Sequence, residues 1–241
     1  MAQPMARVVL AGGHELRPGC EPMDRRVLRE AGGRQARVVF LPTAVANYDP
    51  VGSGHGAVAY FARLGAPCEV AMILTRADAD RPDMVAVIEQ ATLLYLGGGD
   101  THVLLDALSG SLAWAAALRA HGRGAVVGGS SAGAMVACSH TLLPARPPAQ
   151  GPPWVAGLGL VAQALVLPHF EPARAALAAD LAARLAGEVD AAMAVLGIPE
   201  QSALLSHDGW WEVVGPGPVT VFQGGQRRAY ASGANAVLGP G

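Results

Sequence analysis

The 241-residue chain contains no lysine, and its 17 basic residues are all arginine. Charged residues make up only 15% of the sequence against 51% hydrophobic residues, and the formal net charge is −2. An intrinsically disordered chain is excluded, because disorder requires low hydrophobicity and high net charge. No run of like charges predicts a nucleic-acid or acidic partner. We expect one compact domain over residues 1–241, a length near the upper size for a single core.

The chain is also poor in cysteine and lacks long apolar runs. Cys20, Cys68 and Cys138 lie far apart and are odd in number, which argues against a disulfide framework and favours a reducing compartment. No segment reaches the roughly 20 uninterrupted apolar residues of a membrane span. Residues 1–7 lack the basic and apolar regions of a signal peptide. These absences predict a cytoplasmic protein with no membrane partner.

Short apolar runs alternate with longer segments of helical periodicity in the first half of the chain. Runs at 7–11, 37–41, 69–74, 93–96 and 124–127 are typical of parallel strands that are buried on both faces. Segments 24–30, 56–64, 82–90 and 101–119 are long enough for helices. The alternation predicts an α/β fold with a mainly parallel, doubly wound sheet and helices on both faces.

Beyond residue 140 the pattern becomes less regular. A proline-rich loop at 145–153 is either a connector or a lid. It is followed by a strand at 165–167, a helix at 172–185, and strands at 193–196, 202–206, 211–214 and 219–222. Asp208-Gly209 and Gly215–Gly217 are predicted to be turns of C-terminal β-hairpins, and residues 229–241 to form a frayed end.

The clearest chemical motif is the G-x-S-x-G sequence at Gly129–Gly133, between a buried strand and a helix. This context is typical of a nucleophile elbow, in which a strained turn exposes a serine oxygen at a helix N-terminus. Side chains at Gly129 and Gly133 would collide with neighbouring backbone. We predict that Ser131 is the nucleophile and that the Ala132 N–H is one oxyanion donor. The alternative is a glycine-rich helix start with a serine N-cap.

A second glycine-rich turn, Gly97–Thr101 (GGGDT), also joins a strand to a helix. Its glycines allow a backbone N–H to approach a ligand closely, so Gly98 or Gly99 is a candidate for the second oxyanion donor. The turn is not a P-loop, because that motif requires a lysine. Asp100 is either the N-cap of the helix or a substrate contact, and Thr101 is a further candidate contact.

A nucleophilic serine needs a base and an acid that orients the base. Among the seven histidines, His169 follows directly on a strand, where parallel α/β sheets place their chemistry. His14 and His102 are its rivals. Glu200 ends another strand, and Glu171 forms an H-x-E pair with His169. The residues alone leave the choice between these two acids open.

Four segments together resemble the aspartyl dipeptidase (peptidase E) and cyanophycinase family of serine peptidases. They are Gly97–Thr101 (GGGDT), Gly129–Ala134 (GSSAGA), Pro168–Phe170 (PHF) and Gly197–Glu200 (GIPE), and the opening strand ending in Ala11-Gly12-Gly13 matches as well. Their order and spacing agree over residues 7–222. The resemblance implies a fold similar to class I glutamine amidotransferases and a triad of Ser131, His169 and Glu200, with Glu171 as the second choice for the acid.

The chain lacks any Asp or Glu between Ser131 and His169. This absence excludes the order of an α/β-hydrolase triad, in which the acid precedes the histidine. Two departures from the family pattern stand out. Ser130 occupies a position where relatives often have threonine, tyrosine or tryptophan. A helix predicted directly after Glu171-Pro172 leaves the relatives' substrate-binding arginines without matching positions here.

The resemblance further implies hydrolysis of small peptides with an aspartyl residue on the acyl side of the cut. An acidic substrate group favours an arginine partner, and Arg174, Arg146 and Arg17 are the candidates. The sequence contains no metal-ligand cluster, so we expect neither metal nor cofactor, and a monomer or homodimer. The alternatives are an esterase or amidase that acts on a non-peptide acyl group, and a non-catalytic binding module.

Overall fold

The computed structural model describes residues 7–143 and 151–238. The strands are β1 (Arg7–Ala11), β2 (Val38–Leu41), β3 (Cys68–Val70), β4 (Leu93–Leu96), β5 (Val126–Ser130), β6 (His140–Leu142), β7 (Trp154–Ala156), β8 (Ala164–Leu167), β9 (Ala194–Gly197), β10 (Ala203–Ser206), β11 (Trp211–Val214), β12 (Val219–Gln223), β13 (Gln226–Tyr230) and β14 (Asn235–Ala236). The α-helices are α1 (Glu21–Glu30), α2 (Pro50–Leu64), α3 (Arg76–Ala79), α4 (Pro82–Glu89), α5 (Thr101–Leu108), α6 (Leu112–Gly122), α7 (Ala132–Ala137) and α8 (Ala175–Glu188).

The main sheet has eight strands in the order β14-β11-β10-β1-β5-β4-β2-β3. Five neighbouring strands run parallel, namely β1, β5, β4, β2 and β3. The other three, β10, β11 and β14, pair antiparallel at one edge. Successive side chains of a strand point to opposite faces. Phe40 and Tyr95 therefore pack with α1 and α2, whereas Leu94 and Leu96 pack with α4, α5 and α6. The predicted α/β fold with helices on both faces is confirmed.

A second sheet has four strands in the order β13-β12-β9-β8. The predicted hairpin at Asp208-Gly209 joins β10 to β11 and is confirmed. The predicted hairpin at Gly215–Gly217 is wrong, because β11 pairs in the main sheet and β12 in the second. A turn signal marks where the chain bends but does not determine which strand the next segment joins.

The C-terminal stretch is also more ordered than predicted. Gly224 and Gly225, with φ of 57° and 72°, form the turn between β12 and β13, and this conformation is the one that a two-residue hairpin favours. Residues 229–238 do not fray: they complete β13 and form β14, which pairs with β11. The remaining residues of the predicted frayed end lie outside the described part.

The helix predicted at 101–119 is two helices, α5 and α6, which meet at 88°. Gly110 has φ of 67°, and the Ser111 side chain caps α6 by accepting a hydrogen bond from the Trp114 N–H. Glycine and serine thus end one helix and begin the next. No single described helix is both long and apolar enough to cross a membrane. The bent pair meets those criteria only when α5 and α6 are taken together.

The proline-rich loop at 145–153 lies mostly outside the described residues. Its last residue, Pro153, accepts a hydrogen bond from the Leu143 N–H at 2.8 Å, and the segments on either side pair as β6 and β7. The described segments before and after the loop therefore form a two-stranded ribbon.

The two sheets are joined where their parallel strands end. The His169 N–H, after β8, donates to the Gly12 carbonyl at 2.7 Å, and the Gln201 N–H, after β9, donates to the Gly13 carbonyl at 3.2 Å. Gly12 and Gly13 follow β1, the neighbour of β5 in the main sheet. The turns after β1, β5, β8 and β9 consequently meet at one place.

Candidate active site

Ser131 lies in the sharp turn between β5 and α7. All five residues of β5 are buried, and the Ser131 N–H donates to the Ala11 carbonyl at 3.0 Å. Ser131 has φ of 49° and ψ of −115°, a sparsely populated conformation for a residue with a side chain. A Cβ at Gly129 or at Gly133 would lie 2.2 Å from the Leu96 carbonyl oxygen. These two glycines are therefore required by close backbone packing, as predicted.

A continuous line of hydrogen bonds joins three of the predicted residues. The Ser131 Oγ lies 3.0 Å from Nε2 of His169, and Nδ1 of His169 lies 2.8 Å from Oε1 of Glu200. The side chains of His169 and Glu200 are 45% and 50% exposed, so the group is open to solvent. This is the geometry of a serine with a base and an orienting carboxylate.

The imidazole of His169 is held by its surroundings. A Cβ at Gly13 would lie 2.3 Å from Cε1 of His169, so the ring fits only because residue 13 has no side chain. Phe170 is buried against Gly197, where a Cβ would lie 2.6 Å from the phenyl ring, and it meets Phe222 edge to face at 6.0 Å. The Pro168–Phe170 turn is thus anchored on the second sheet.

Glu200, and not Glu171, contacts His169. The Glu171 side chain is exposed and makes no hydrogen bond or ion pair with any described residue. Of the rival histidines, His14 is close, with Nδ1 3.9 Å from Oε2 of Glu200. His102 instead lies in the first turn of α5 and is exposed.

Backbone strain is concentrated in these turns. Six non-glycine residues in the described part have positive φ, and five of them lie in the turns that follow β1, β5, β8 and β9. They are His14, Leu16, Ser131, His169 and Gln201. Positive φ is uncommon for residues other than glycine, and strained backbone clusters at functional sites. The strain agrees with a functional role for this region.

The glycine-rich turn after β4 lies beside Ser131. A Cβ on Gly98 would be 3.1 Å from the Ser131 Cβ. Gly99 has φ of 140°, and a Cβ there would lie 2.4 Å from the Ala44 carbonyl oxygen. Within the described residues, the N–H groups of Gly99 and Ala132 donate to no protein acceptor. Both are thus available to an anion.

Asp100 and Thr101 have partners within the protein. Asp100 caps α5 by accepting hydrogen bonds from the N–H groups of His102 and Val103. Thr101 is buried, with its hydroxyl 4.0 Å from the Met135 sulfur. The structure thus supports the interpretation of Asp100 as the N-cap of α5. The Thr101 side chain is buried in the core.

Glu15 also lies at this site and was not among the residues predicted from the sequence. Its Oε1 accepts a hydrogen bond from the Gly98 N–H at 2.7 Å, and its Oε2 accepts one from the Ser130 hydroxyl at 2.8 Å. The available signal was an acidic residue just after the Gly12-Gly13 pair that ends β1. Because β1 lies next to β5, that turn had to approach the serine.

The candidate arginines differ in position. Arg174 is half-buried, and its Nη1 donates to the Pro168 carbonyl at 2.8 Å, next to His169. Arg17 is exposed in the turn after β1. Arg146 lies outside the described residues. Arg174 is therefore the candidate with a described contact beside the histidine.

A buried acid lies beneath the turn after β1. Asp24 is 2% exposed and accepts a hydrogen bond from the Tyr60 hydroxyl at 2.6 Å. Burial raises the pKa of the Asp24 carboxyl to about 7, against the opposing effect of the Tyr60 hydrogen bond. Burial and the nearby Asp24 also raise the pKa of the Cys20 thiol to about 12, so this thiol stays protonated. In residues 7–143 and 151–238, no three His, Cys, Asp or Glu side chains form a metal-ligand group.

Comparisons with known proteins agree with this geometry. The model of peptidase family S51 matches residues 8–214. Cyanophycinases from Nostoc sp. (strain PCC 7120 / SAG 25.82 / UTEX 2576) and Trichormus variabilis (strain ATCC 29413 / PCC 7937) are each 27% identical over 224 residues, covering 89% of this chain and 72% of theirs.

Two solved structures share the fold. A peptidase from an acI-B1 actinobacterium has a TM-score of 0.82 at 24% identity, covering 98% of both chains. A putative peptidase E protein from Listeria monocytogenes EGD-e has a TM-score of 0.61 at 17% identity, covering 88% of this chain and 98% of that one. These similarities confirm the predicted fold class.

Proposed function

The chain belongs to peptidase family S51, and we propose that it hydrolyses small peptides through Ser131, His169 and Glu200, with an aspartyl residue on the acyl side of the cut. The observation that carries this proposal is the pair of hydrogen bonds, 3.0 Å and 2.8 Å long, that joins the three side chains. A serine in a strained turn, a base within reach and an oriented imidazole are the parts that covalent acyl transfer needs.

The first half of the reaction forms an acyl-enzyme. Neutral His169 donates its Nδ1–H to Glu200 and accepts the Ser131 proton at Nε2. The Ser131 oxygen attacks the peptide carbonyl, and the oxyanion is stabilised by the Ala132 N–H with Gly98 or Gly99. His169 then gives the proton to the leaving amine, and the C–N bond breaks.

The second half returns the free enzyme. Water replaces the leaving amine. His169 accepts a proton from this water, and the resulting hydroxide attacks the acyl carbon. The open position of His169 and Glu200 supports ready access of this water. Collapse of the second tetrahedral intermediate returns the proton to Ser131 and releases the acid.

The preference for an aspartyl residue rests on the relatives and on Arg174. The resemblance of this chain's motifs to aspartyl dipeptidases and cyanophycinases implies an aspartyl residue on the acyl side, and a curated relative named cyanophycinase is 27% identical to this chain. The Arg174 guanidinium, held beside His169 by the Pro168 carbonyl, supplies a charge that pairs well with a carboxylate. Arg174→Ala should therefore weaken cleavage of Asp-Leu more than cleavage of Ala-Leu.

A panel of short substrates tests the proposal. It contains Asp-Leu, Ala-Leu, β-aspartyl-arginine, a long unstructured peptide and an acyl ester, each with the wild type and with Ser131→Ala. We expect cleavage of the short aspartyl peptides only, and none by Ser131→Ala. Equal rates on Asp-Leu and Ala-Leu would remove the aspartyl preference, and efficient digestion of the long peptide would remove the small-substrate assignment.

A fluorophosphonate probe separates the remaining alternatives. An activated serine reacts with the probe, whereas a non-catalytic binding module does not. Labelling together with hydrolysis of the ester alone would favour the esterase or amidase. No labelling of the wild type would contradict the proposed catalytic role of Ser131.

A further inference from the structure

Glu15 holds one of the candidate oxyanion donors of the proposed reaction. The Gly98 N–H is a candidate oxyanion donor beside Ser131, yet it donates to Oε1 of Glu15 at 2.7 Å. The second carboxylate oxygen accepts from the hydroxyl of Ser130, the residue before the nucleophile. Ser130 is fully buried. A carboxylate is thus fixed next to the serine by two donors.

The charge of Glu15 has no cationic partner in the described part of the chain. Both of its hydrogen bonds come from neutral groups, and none of the ion pairs in residues 7–143 and 151–238 involves it. The side chain is half-buried, so solvent screens its charge only in part. A negative charge held there opposes the negative charge that develops on a tetrahedral intermediate.

This conflict is removed if the substrate brings a positive charge. When the residue on the acyl side is the N-terminal residue of a peptide, its α-ammonium group is two bonds from the scissile carbonyl carbon. An ammonium group therefore arrives within a few ångströms of any carbonyl oxygen bound at Gly98. Pairing with this ammonium favours release of the Gly98 N–H by Glu15 and neutralises the carboxylate.

We propose that Glu15 is a specificity-determining residue that holds the Gly98 N–H in the free enzyme and binds the substrate's α-ammonium group in the complex. This inference rests on the proposed function, and it narrows the substrate class to peptides with a free N-terminus. The turn that carries Glu15 has positive φ at His14 and Leu16 on either side of it. The Ser130 hydroxyl holds the Glu15 side chain in place while the substrate's ammonium group replaces the Gly98 N–H as its other partner.

The test compares Asp-Leu with N-acetyl-Asp-Leu in the wild type and in Glu15→Gln, which keeps the shape of the side chain and removes its charge. We expect the wild type to prefer the free peptide by about 100-fold or more in kcat/KM, because a site built for a charged group rejects the analogue that lacks it. In Glu15→Gln the free peptide should lose most of that advantage, while the blocked peptide is cleaved no worse than before. Glu21→Gln is the matched control: Glu21 accepts from the Gly19 N–H at the other end of the same turn, and the variant should keep the preference.

Labelling by an uncharged fluorophosphonate tests Glu15 independently of any peptide. Its phosphoryl oxygen needs the oxyanion donors but brings no ammonium, so Glu15→Gln should label about 10-fold faster than the wild type. Equal losses on the free and the blocked peptide in Glu15→Gln would indicate a structural role and overturn the proposal. If the wild type cleaves neither peptide, the proposed function fails, and labelling that is unchanged in Glu15→Gln then overturns the Glu15 assignment as well.

Discussion

At the scale of single residues, local sequence patterns identify some members of the site and not others. Ser131 is marked by two glycines that close packing requires, and such a pattern can be read locally. His169 has no comparable signature, because its place depends on a contact with Gly13, more than 150 residues earlier. Glu15 is marked only by its place just after the Gly12-Gly13 pair. The sequence therefore predicts the nucleophile from its own turn and favours His169 from its position after a strand, but the choice of the acid depends on a family resemblance.

The role of the carboxylate is tested by Glu200→Gln. An amide oxygen in place of the carboxylate weakens the hold on the imidazole, and the amide nitrogen favours the wrong tautomer of His169. We expect kcat to fall by about 10⁴, measured on Asp-Leu with circular dichroism as a check of folding. Glu171→Gln should change kcat little, because the exposed side chain of Glu171 makes no hydrogen bond or ion pair with any described residue. The reverse pattern would transfer the role to Glu171.

Gly13→Ala is expected to displace the imidazole of His169. In Gly13→Ala the new methyl group would meet the His169 ring, so the imidazole must leave Ser131, and kcat/KM should fall by about 100-fold or more. Gly32→Ala is the control, since Gly32 has φ of 109°, close to the 127° of Gly13, but a Cβ there would lie 3.7 Å from its nearest neighbour, an ordinary contact. Both variants therefore carry strained backbone, and only Gly13→Ala meets the imidazole. Similar activities for the two would show that the ring contact is unimportant.

At the scale of helices and strands, the parallel half of the fold is predictable and the antiparallel half is not. Buried parallel strands are continuous apolar runs, and helices separate them, so β1, β2, β4 and β5 are all found from periodicity. Strands β9 to β12 are also found, whereas β13 and β14 are missed, and of the antiparallel pairings only the β10–β11 hairpin is predicted. Pairing of β12 with β9 instead of β11 depends on packing across the whole molecule, which a turn sequence does not encode.

Helix α5 carries a prediction about Asp100. Asp100→Ala removes the acceptor for two N–H groups and should lower the free energy of unfolding by about 1 kcal/mol. Asp100→Asn should restore that stability and keep activity on Asp-Leu, as expected for an N-cap. Urea denaturation gives the stability, with Asp106→Ala as the control on the exposed face of the same helix. Loss of activity in a stable Asp100→Asn variant would favour the substrate-contact interpretation.

At the scale of the whole molecule, the buried acid Asp24 should make stability depend on pH. An aspartate in the unfolded chain has a pKa of about 3.9, whereas folding raises the pKa of Asp24 to about 7. Between these values the folded state holds the extra proton, so stability falls as pH rises and becomes independent of this group above about pH 7. The expected loss between pH 5 and pH 8 is about 2–3 kcal/mol.

The Asp24→Asn variant has no carboxyl group to titrate at this position. Its amide oxygen can still accept the Tyr60 hydrogen bond. Urea denaturation at pH 5, 6, 7 and 8 should show the variant gaining stability relative to the wild type as pH rises. Asp106→Asn, an exposed carboxylate, should show a constant difference from the wild type. Parallel curves for the wild type and Asp24→Asn would contradict a raised pKa in the folded state.

Under the proposed mechanism, the joining of the two sheets at Gly12 and Gly13 means that activity arises only late in the synthesis of the chain. The nucleophile turn is complete once residue 137 has left the ribosome, but His169 and Glu200 come later, and β10, which flanks β1, ends only at Ser206. A nascent chain that stops before His169 has the serine but not the proposed base, and one that stops before Ser206 lacks the complete β10 beside β1. We therefore expect peptidase activity only after the strands that hold the proposed base and acid have been made.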